Sequence, residues 1–527
     1  MNHNSKPYVA PIDPYRPFQN NTYYSHMGYS FNDSLGAGLP LFNSHDYSHH
    51  SKRRVHPGNP SPIHGYSIHS PFIRKGGEIL PHDRLPEQGM LPKKAYEAIH
   101  NDIALDGSPQ LNLATFVTTW MEPTANQLYT EAFDKNLIDK DEYPKTAEIE
   151  ERCIRILADL WHAPHPHTTM GVSTTGSSES CMLGGLALKR RWQNERKKQG
   201  KPIDRPNIVF SSAVQVVWKK FANYWDIEPR YVNISPDCPY LDPKGVLSSV
   251  DENTIGVVTT LGVTYTGLYE PVEQIAKCLD ELQSRTGLNI PIHVDAASGG
   301  FIAPFLQPEI IWDFQIERVK SINVSGHKYG LVYPGIGWII WREAEDLPED
   351  LIFHVSYLGG NMSTFALSFT RPSAQVLLQY YNFLRLGKEG YYEIQKYTQS
   401  VALFLSNAIQ KIEHFELLTD GSHLPVLAWR LKEGHSSHWN LYDLSRTLRT
   451  FGWQVPAYPL PPDMENVTIM RVVVRTEFSM ELAQVFLMNL IESITYLDSM
   501  DRPVSNETKH HIAFKKGTPF SHPFVRT

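Results

Sequence analysis

The sequence predicts an α/β protein: a large, mostly parallel-sheet domain followed by a smaller α+β C-terminal domain. Two observations carry that prediction. Between about residues 145 and 345, short apolar runs alternate with amphipathic helical patterns, as expected when strands are buried on both faces of a parallel sheet. Beyond a long helical stretch near residues 373–412 the order changes to strand, helix, strand.

The elements follow in chain order. The first 86 residues hold nine of the 23 histidines and 11 of the 38 prolines, and no helical or strand period survives that proline density. Residues 1–70 therefore read as an extended, His/Pro-rich tail, disordered or docked on a partner. A helix over Lys93–Leu105 is ended by Gly107, Ser108 and Pro109. A second, Ala147–Trp161, places Ile149, Cys153, Ile156, Leu157 and Leu160 on one face. A third runs from about Ser180 to Glu195. Strands are expected at Asn207–Phe210, Ile255–Thr260, Ile290–Val294, Val319–Val324 and Trp338–Trp341, with a helix at Val272–Gln283. Strands at Pro425–Leu431 and Val467–Val474 flank a helix at Tyr442–Phe451. No internal repeat is present.

Composition excludes several classes. Hydrophobic residues make up 41% and charged residues 20%, enough apolar content for a packed core. A net charge of −7 does not suit a general nucleic-acid binder. No apolar run reaches the ~18–20 residues that span a bilayer. The richest stretch, Leu331–Trp341, is broken by Pro334, Gly335 and Gly337. The N-terminus lacks the apolar core of a secretory signal. Four scattered cysteines without a CxxC pair argue against a disulfide framework or a metal site and fit a reducing cytoplasm.

The chemistry concentrates in three segments. In Ser321-Ile-Asn-Val-Ser-Gly-His-Lys-Tyr-Gly330 a strand ends and Lys328 follows at the mouth of the sheet, where an amine can form a Schiff base with a carbonyl cofactor. Alone, the segment could equally be a surface turn. In His293-Val-Asp-Ala-Ala-Ser-Gly-Gly300, Asp295 closes the strand 33 residues earlier. A lysine for an aldehyde and a carboxylate for a pyridine nitrogen are the two parts that pyridoxal 5'-phosphate requires. Both lie at the carboxyl ends of strands, where open α/β sheets bind ligands; a purely structural Asp at a strand end is the alternative. The third segment, Gly171-Val-Ser-Thr-Thr-Gly-Ser-Ser-Glu179, offers hydroxyls, glycines and a helix start to a phosphate, although any one of its serines could be an ordinary N-cap.

Together these motifs resemble the group II pyridoxal phosphate-dependent decarboxylases, and among them the glutamate decarboxylases of bacterial type. Further stretches belong with them: Asn-Leu-Ala-Thr-Phe (112–116), Ala-Asp-Leu-Trp-His-Ala-Pro (158–164), Gly-Val-Thr-Tyr-Thr-Gly (262–267), Phe-Leu-Arg-Leu-Gly-Lys-Glu-Gly-Tyr (383–391) and Gly-Trp-Gln-Val-Pro-Ala (452–457). The resemblance covers about residues 85–500. It implies a fold-type-I enzyme with an N-terminal segment (1–109), a large cofactor domain (110–398), a small C-terminal domain (399–508) and a tail (509–527), acting at least as a homodimer that could assemble further, up to a hexamer. Lys328 would carry the cofactor and Asp295 would face its ring nitrogen. Ser177, Ser178 and His327 would hold the phosphate. Gln215 would stack on the ring, where aromatic amino-acid decarboxylases often have His. Ala297 would pack beneath the ring and Thr264 would hydrogen-bond near it. Thr370 stands where the family often has Ser and would reach the neighbouring subunit's phosphate.

The resemblance also implies a substrate, L-glutamate, with Arg471 on its α-carboxylate and Thr115, Phe116 and Asn136 around the distal one. A planar fork of donors suits a carboxylate, although by its position alone Arg471 could be a surface residue at a strand start. Tyr357 would be a proton donor on a hairpin over the neighbouring site. The implied reaction is α-decarboxylation to 4-aminobutanoate, which consumes a proton and suits a role in acid resistance. Aspartate or cysteine sulfinate as substrate, or a non-catalytic scaffold, are the alternatives. Bacterial relatives close the site at neutral pH with a penultimate His. Here the penultimate residue is Arg526, and His522, then His510 and His511, are the nearest candidates for such a plug.

Overall fold

Seven strands build the main sheet: β1 (Gly171–Thr174), β2 (Asn207–Ser211), β3 (Glu228–Val232), β4 (Thr254–Thr260), β5 (Ile292–Asp295), β6 (Val319–Val324) and β7 (Gly337–Trp341). Their order is β1-β7-β6-β5-β4-β2-β3. Only β7 runs against its neighbours; the other pairings are parallel. Strands β2, β4 and β5 are buried along their whole length, which is why they read as continuous apolar runs. A short hairpin, β8 (Phe353–Val355) and β9 (Met362–Thr364), stands apart. A second, antiparallel sheet of four strands follows: β10 (Phe415–Asp420), β11 (Val426–Leu431), β12 (Ala457–Pro459) and β13 (Thr468–Val473), in the order β10-β11-β13-β12.

The computed structural model describes residues 83–356, 362–434 and 438–500. The described residues from Gly89 onward form one compact unit. The His/Pro-rich tail, Tyr357 and the histidines of the C-terminal tail lie outside the described residues.

Helices α1 (Pro92–Ile103), α2 (Pro123–Ala132), α3 (Pro144–Leu160) and α6 (Pro243–Ser249) each begin with proline, whose fixed φ and missing N–H suit the first turn. Helices α4 (Ser177–Lys198), α5 (Val216–Tyr224), α7 (Val272–Thr286) and α8 (Ala303–Leu306) complete the larger region. Helix α9 (Ala374–Ile409) matches the expected helical stretch but is kinked at Gly387, where φ is 59°. It runs through residue 399, so a helix joins the two sheets. Helices α10 (Leu441–Thr450), with an Asn440/Asp443 capping box, and α11 (Met480–Asp498) cover the smaller sheet. No helix among the described residues is long and apolar enough to cross a membrane.

A buried ion pair fastens the 370–372 segment to β1. The Arg371 guanidinium donates to Glu150 Oε1 at 3.2 Å and to Ser173 Oγ at 2.8 Å, and Ser173 N donates to the same carboxylate oxygen at 3.0 Å. Both charged side chains are almost fully buried. Arg371→Met would leave Glu150 buried and unpaired, a loss of ~3–5 kcal/mol. Urea unfolding followed by circular dichroism checks this: the midpoint drops sharply in Arg371→Met and little in a surface control such as Lys145→Met, whose partner Glu148 is exposed.

Candidate active site

The site grows from the pairing of β5 and β6. In register, His293 lies opposite Ser321 and Asp295 opposite Asn323. Because side chains alternate along a strand, all four polar groups share one face. Asp295 is 3% exposed. Its Oδ1 accepts from Asn323 Nδ2 at 3.0 Å and from Ala297 N at 3.2 Å. Its Oδ2 accepts from Trp218 Nε1 at 2.9 Å, and the Cys181 thiol lies 3.6 Å away. Every group around it is a donor, the environment of a working carboxylate.

Lys328 follows β6. Its Nζ donates to Ser298 Oγ at 3.1 Å and stands 5.0 Å over the Phe116 ring. Burial lowers its pKa below that of an ordinary lysine; Asp295 and Cys181 oppose the shift and Arg471 adds to it. The loop that carries it is held from several sides. Thr118 donates from Oγ1 to the Lys328 carbonyl and from N to the His327 carbonyl, each at 2.8 Å. From α9, Gln379 and Tyr391 donate to Gly330 O, Asn382 to Leu331 O and Gln395 to Tyr329 O, at 3.2, 3.0, 2.8 and 2.9 Å. These bonds hold Leu331 in the left-handed region at φ 63°, unusual for a branched residue.

Helix α4 begins at Ser177, three residues before the start expected from sequence. Ser177 and Ser178 thus occupy its first turn. Their hydroxyls are polar enough to look like loop, yet serine is common where a helix starts. No side chain caps this terminus, so its N–H groups and positive dipole end face outward. Ser325 Oγ donates to Ser177 Oγ at 2.7 Å. His327 Nδ1 donates to the Ile336 carbonyl at 2.8 Å, which sets its ring beside Gly176, where an added Cβ would lie 3.3 Å from it. Burial, with Lys328 adding, lowers the His327 pKa to about 4. An uncapped helix start walled by serines and glycine is a cradle for a phosphate. With the amine of Lys328 and the carboxylate of Asp295 at the adjoining strand ends, these residues fit pyridoxal phosphate.

Gln215 caps α5 through its side-chain oxygen, which accepts from Val217 N. Ala297 hydrogen-bonds Asp295 and accepts from Ser325 N at 3.2 Å. Thr264 sits in a loop that needs glycine at both ends: Gly262 (φ 104°) and Gly267 (φ 79°) press against Leu424 and Val426 of the smaller region. The Thr264 carbonyl accepts from Arg471.

Arg471 is buried at 6% exposure, so the surface reading falls away. On β13 it pairs with Ala428 and points away from Met470 and Val472, which belong to the core of the smaller region. Its guanidinium donates to the carbonyls of Thr264 and Ala114, and lies 5.1 Å from the Phe116 ring and 5.7 Å from the Tyr458 ring. Its Nε is buried without a partner, a donor awaiting an acceptor. Thr115 is exposed and accepts from Asn112 at 3.1 Å. Asn136 is elsewhere: it accepts from Arg371 N at 3.2 Å and bridges Pro372, beside the exposed Thr370.

The pyridoxal-dependent decarboxylase conserved domain matches residues 84–432. The chain belongs to this family. It is 52% identical over 418 residues to a glutamate decarboxylase of Aliivibrio fischeri, covering 79% of this chain and 90% of that one. It is 48% identical over 422 residues to glutamate decarboxylase beta of Listeria innocua, covering 80% and 91%. Among solved structures, glutamate decarboxylase of Lactobacillus brevis superposes with a TM-score of 0.78 at 46% identity, covering 80% of this chain and 96% of that one. Sphingosine-1-phosphate lyase of Burkholderia pseudomallei, at 20% identity and a TM-score of 0.67 over 79% and 93% of the two chains, shares the fold. The pyridoxal-dependent decarboxylases use pyridoxal phosphate, and the seven-stranded sheet with its small antiparallel partner is fold type I.

Sequence reasoning missed Trp218, Cys181, His293, Asn323 and Ser298 around the two central residues, as well as Tyr458. A usable signal existed for two of them: polar residues two apart in strands that are otherwise apolar, His293/Asp295 and Ser321/Asn323. His293 is fully buried, and burial lowers its pKa to about 4. The unfolded chain, with an ordinary His near 6.5, binds more protons between those values. This contribution to stability is therefore complete above pH ~6.5 and lost towards pH 4, at ~1.4 kcal/mol per pH unit. His327 acts in the same direction. Denaturant unfolding of wild type and His293→Gln between pH 7 and 4.5 checks the sign: stability falls less steeply with acid in the variant.

Proposed function

We propose that this protein is a glutamate decarboxylase, converting L-glutamate to 4-aminobutanoate and CO2 with uptake of one proton. The observation that carries the reading is the meeting of Lys328 and Arg471 over one ring, Phe116, with Arg471 Nε buried and unpaired. An amine for the cofactor and a forked cation for a carboxylate are thus both held close to one ring. The relatives named glutamate decarboxylase supply the substrate class.

When bound, pyridoxal phosphate supplies an aldehyde that takes the substrate amine and a pyridinium ring that draws off the electron pair left by CO2. The chain's own residues do the rest. Lys328, whose pKa is lowered by burial, would hold the cofactor through its aldehyde. Asp295 would face the ring nitrogen and favour its protonated form. The start of α4, Ser177, Ser178 and His327 would hold the phosphate, and Gln215, Ala297 and Thr264 would hold the ring. Arg471 grips the α-carboxylate and so orients the bond that breaks. Phe116, Thr115 and Asn136 form the distal-carboxylate pocket, and Tyr357 returns a proton to Cα. The protein acts at least as a homodimer, with higher assembly up to a hexamer, as the resemblance to glutamate decarboxylases implies. Proton uptake suits an enzyme that buffers acid in the cytoplasm.

The test is CO2 release from L-glutamate, L-aspartate and L-cysteine sulfinate by the cofactor-loaded protein. L-Glutamate turns over fastest; faster turnover of either other substrate overturns the assignment. Lys328→Ala abolishes release. Asp295→Asn still takes up cofactor, though more weakly than wild type, and slows release by more than a thousandfold, on the order of 4 kcal/mol. Arg471→Lys keeps charge without the planar fork and lowers kcat/KM about a hundredfold; an unchanged kcat/KM would remove it from the site.

A further inference from the structure

For a neutral, fully buried imidazole the ladder of side chains behind Asp295 has a single consistent arrangement of protons. A carboxylate only accepts, so the Asn323 amide turns its Nδ2 to Asp295 Oδ1, 3.0 Å away. Asn323 Oδ1 then faces His293 Nε2 at 2.7 Å and must accept from it. The imidazole therefore carries its proton on Nε2. Its Nδ1, 2.7 Å from Ser321 Oγ, accepts from that hydroxyl. With the proton on Nδ1 instead, two lone pairs would meet at Asn323. Turning the amide to relieve this would aim its oxygen at Asp295.

The surroundings are built to hold this ring. His293 is fully buried against Trp218, with ring centroids 5.0 Å apart, and a Cβ on Gly184 of α4 would lie 2.6 Å from its Cε1. The same Trp218 braces the other oxygen of Asp295. Around the ring, β6 offers Ser321 and Asn323, α5 offers Trp218 and α4 offers Gly184, all uncharged. The charged or titratable groups nearby are Asp295 on its own strand and, acting on Asp295, Cys181, Lys328 and Glu270. The imidazole thus stays neutral while relaying donor character to the carboxylate.

We propose that His293 is a positioning residue for the cofactor: a neutral, Nε2-protonated imidazole that acts through Asn323 to hold the Asp295 carboxylate in place for the ring nitrogen. This rests on the reading of Asp295 as the partner of that nitrogen.

The experiment measures pyridoxal phosphate dissociation constants of the apo-protein by ultrafiltration, with thermal unfolding of each apo-variant alongside. His293→Leu removes the donor and weakens cofactor binding about tenfold, the loss expected when a hydrogen bond to a charged group is disturbed. His293→Gln can place an N–H where Nε2 stood and stays within about threefold of wild type. Asn323→Ala breaks the relay one step closer and also loses about tenfold; in that background His293→Gln and His293→Leu bind alike. Should the Leu variant fail to fold, Asn323→Ala alone still decides: it must lose about tenfold in binding, and adding His293→Gln to it must change nothing further. A merely structural role lowers unfolding temperatures but leaves the dissociation constant of folded protein unchanged, and that result overturns the proposal. So does a Gln variant as weak as Leu. Asp295→Asn is the control. If it binds pyridoxal phosphate like wild type, the premise about Asp295 fails. If it weakens binding while His293→Leu does not, only the role of His293 fails.

Discussion

Because β5 and β6 pair in parallel with Asp295 opposite Asn323, both strands end at the same edge of the sheet with their polar side chains on one face. The loops that leave that edge bring Ser298 and Lys328 within hydrogen-bond reach. A shift of one residue in this register would turn Asn323 and Ser321 to the opposite face and leave the Asp295 and His293 side chains without them. The pairing also explains how a charged group survives deep in an apolar sheet. Asp295 is buried only together with Asn323, Ala297 N and Trp218, so its desolvation is offset by donors that the fold puts in place.

The lysine loop follows the same logic by other means. It lies beyond the sheet, where no ladder can hold it, and α9 supplies the missing donors from Gln379, Asn382, Tyr391 and Gln395. These four lie on both sides of the kink at Gly387. A straight helix 36 residues long would carry its ends away from a loop this short. The kink lets one element grip Tyr329–Leu331 from two directions.

Much of this was legible in the sequence. The strands β2, β4, β6 and β7 fall within a residue of where apolar runs place them, because strands covered on both faces leave an unmistakable pattern. Lys328 and Asp295 stand out because each ends such a run. The rest was hidden for identifiable reasons. β3 alternates with exposed charge at a sheet edge, and β12 is three residues long. The true start of α4 was missed because Ser177 and Ser178 have a composition shared by loops and helix ends. Trp218 looks like any buried aromatic on a helix; only its Nε1 contact reveals what it does. Arg471 gave no sign of burial because its partners are backbone carbonyls, which no side-chain pattern records.

Those carbonyl partners tie the two parts of the molecule together. Arg471 and Arg475 leave the end of the small antiparallel sheet and clasp the Pro109–Thr119 segment, Arg471 at Ala114 O and Arg475 at Pro109 O, Asn112 O and Val117 O. The same segment carries Phe116 and, through Thr118, lies across the lysine loop. Phe116 therefore owes its position to both sheets at once, and it is the ring on which the two cations converge. The negative face of an aromatic ring attracts a nearby cation, which eases a repulsion between like charges that burial would otherwise strengthen. The repulsion that remains acts on the lysine: Arg471 adds to burial in lowering the Lys328 pKa. One aromatic ring, placed by both sheets, thus lies 5.0 Å from the amine and 5.1 Å from the guanidinium carbon.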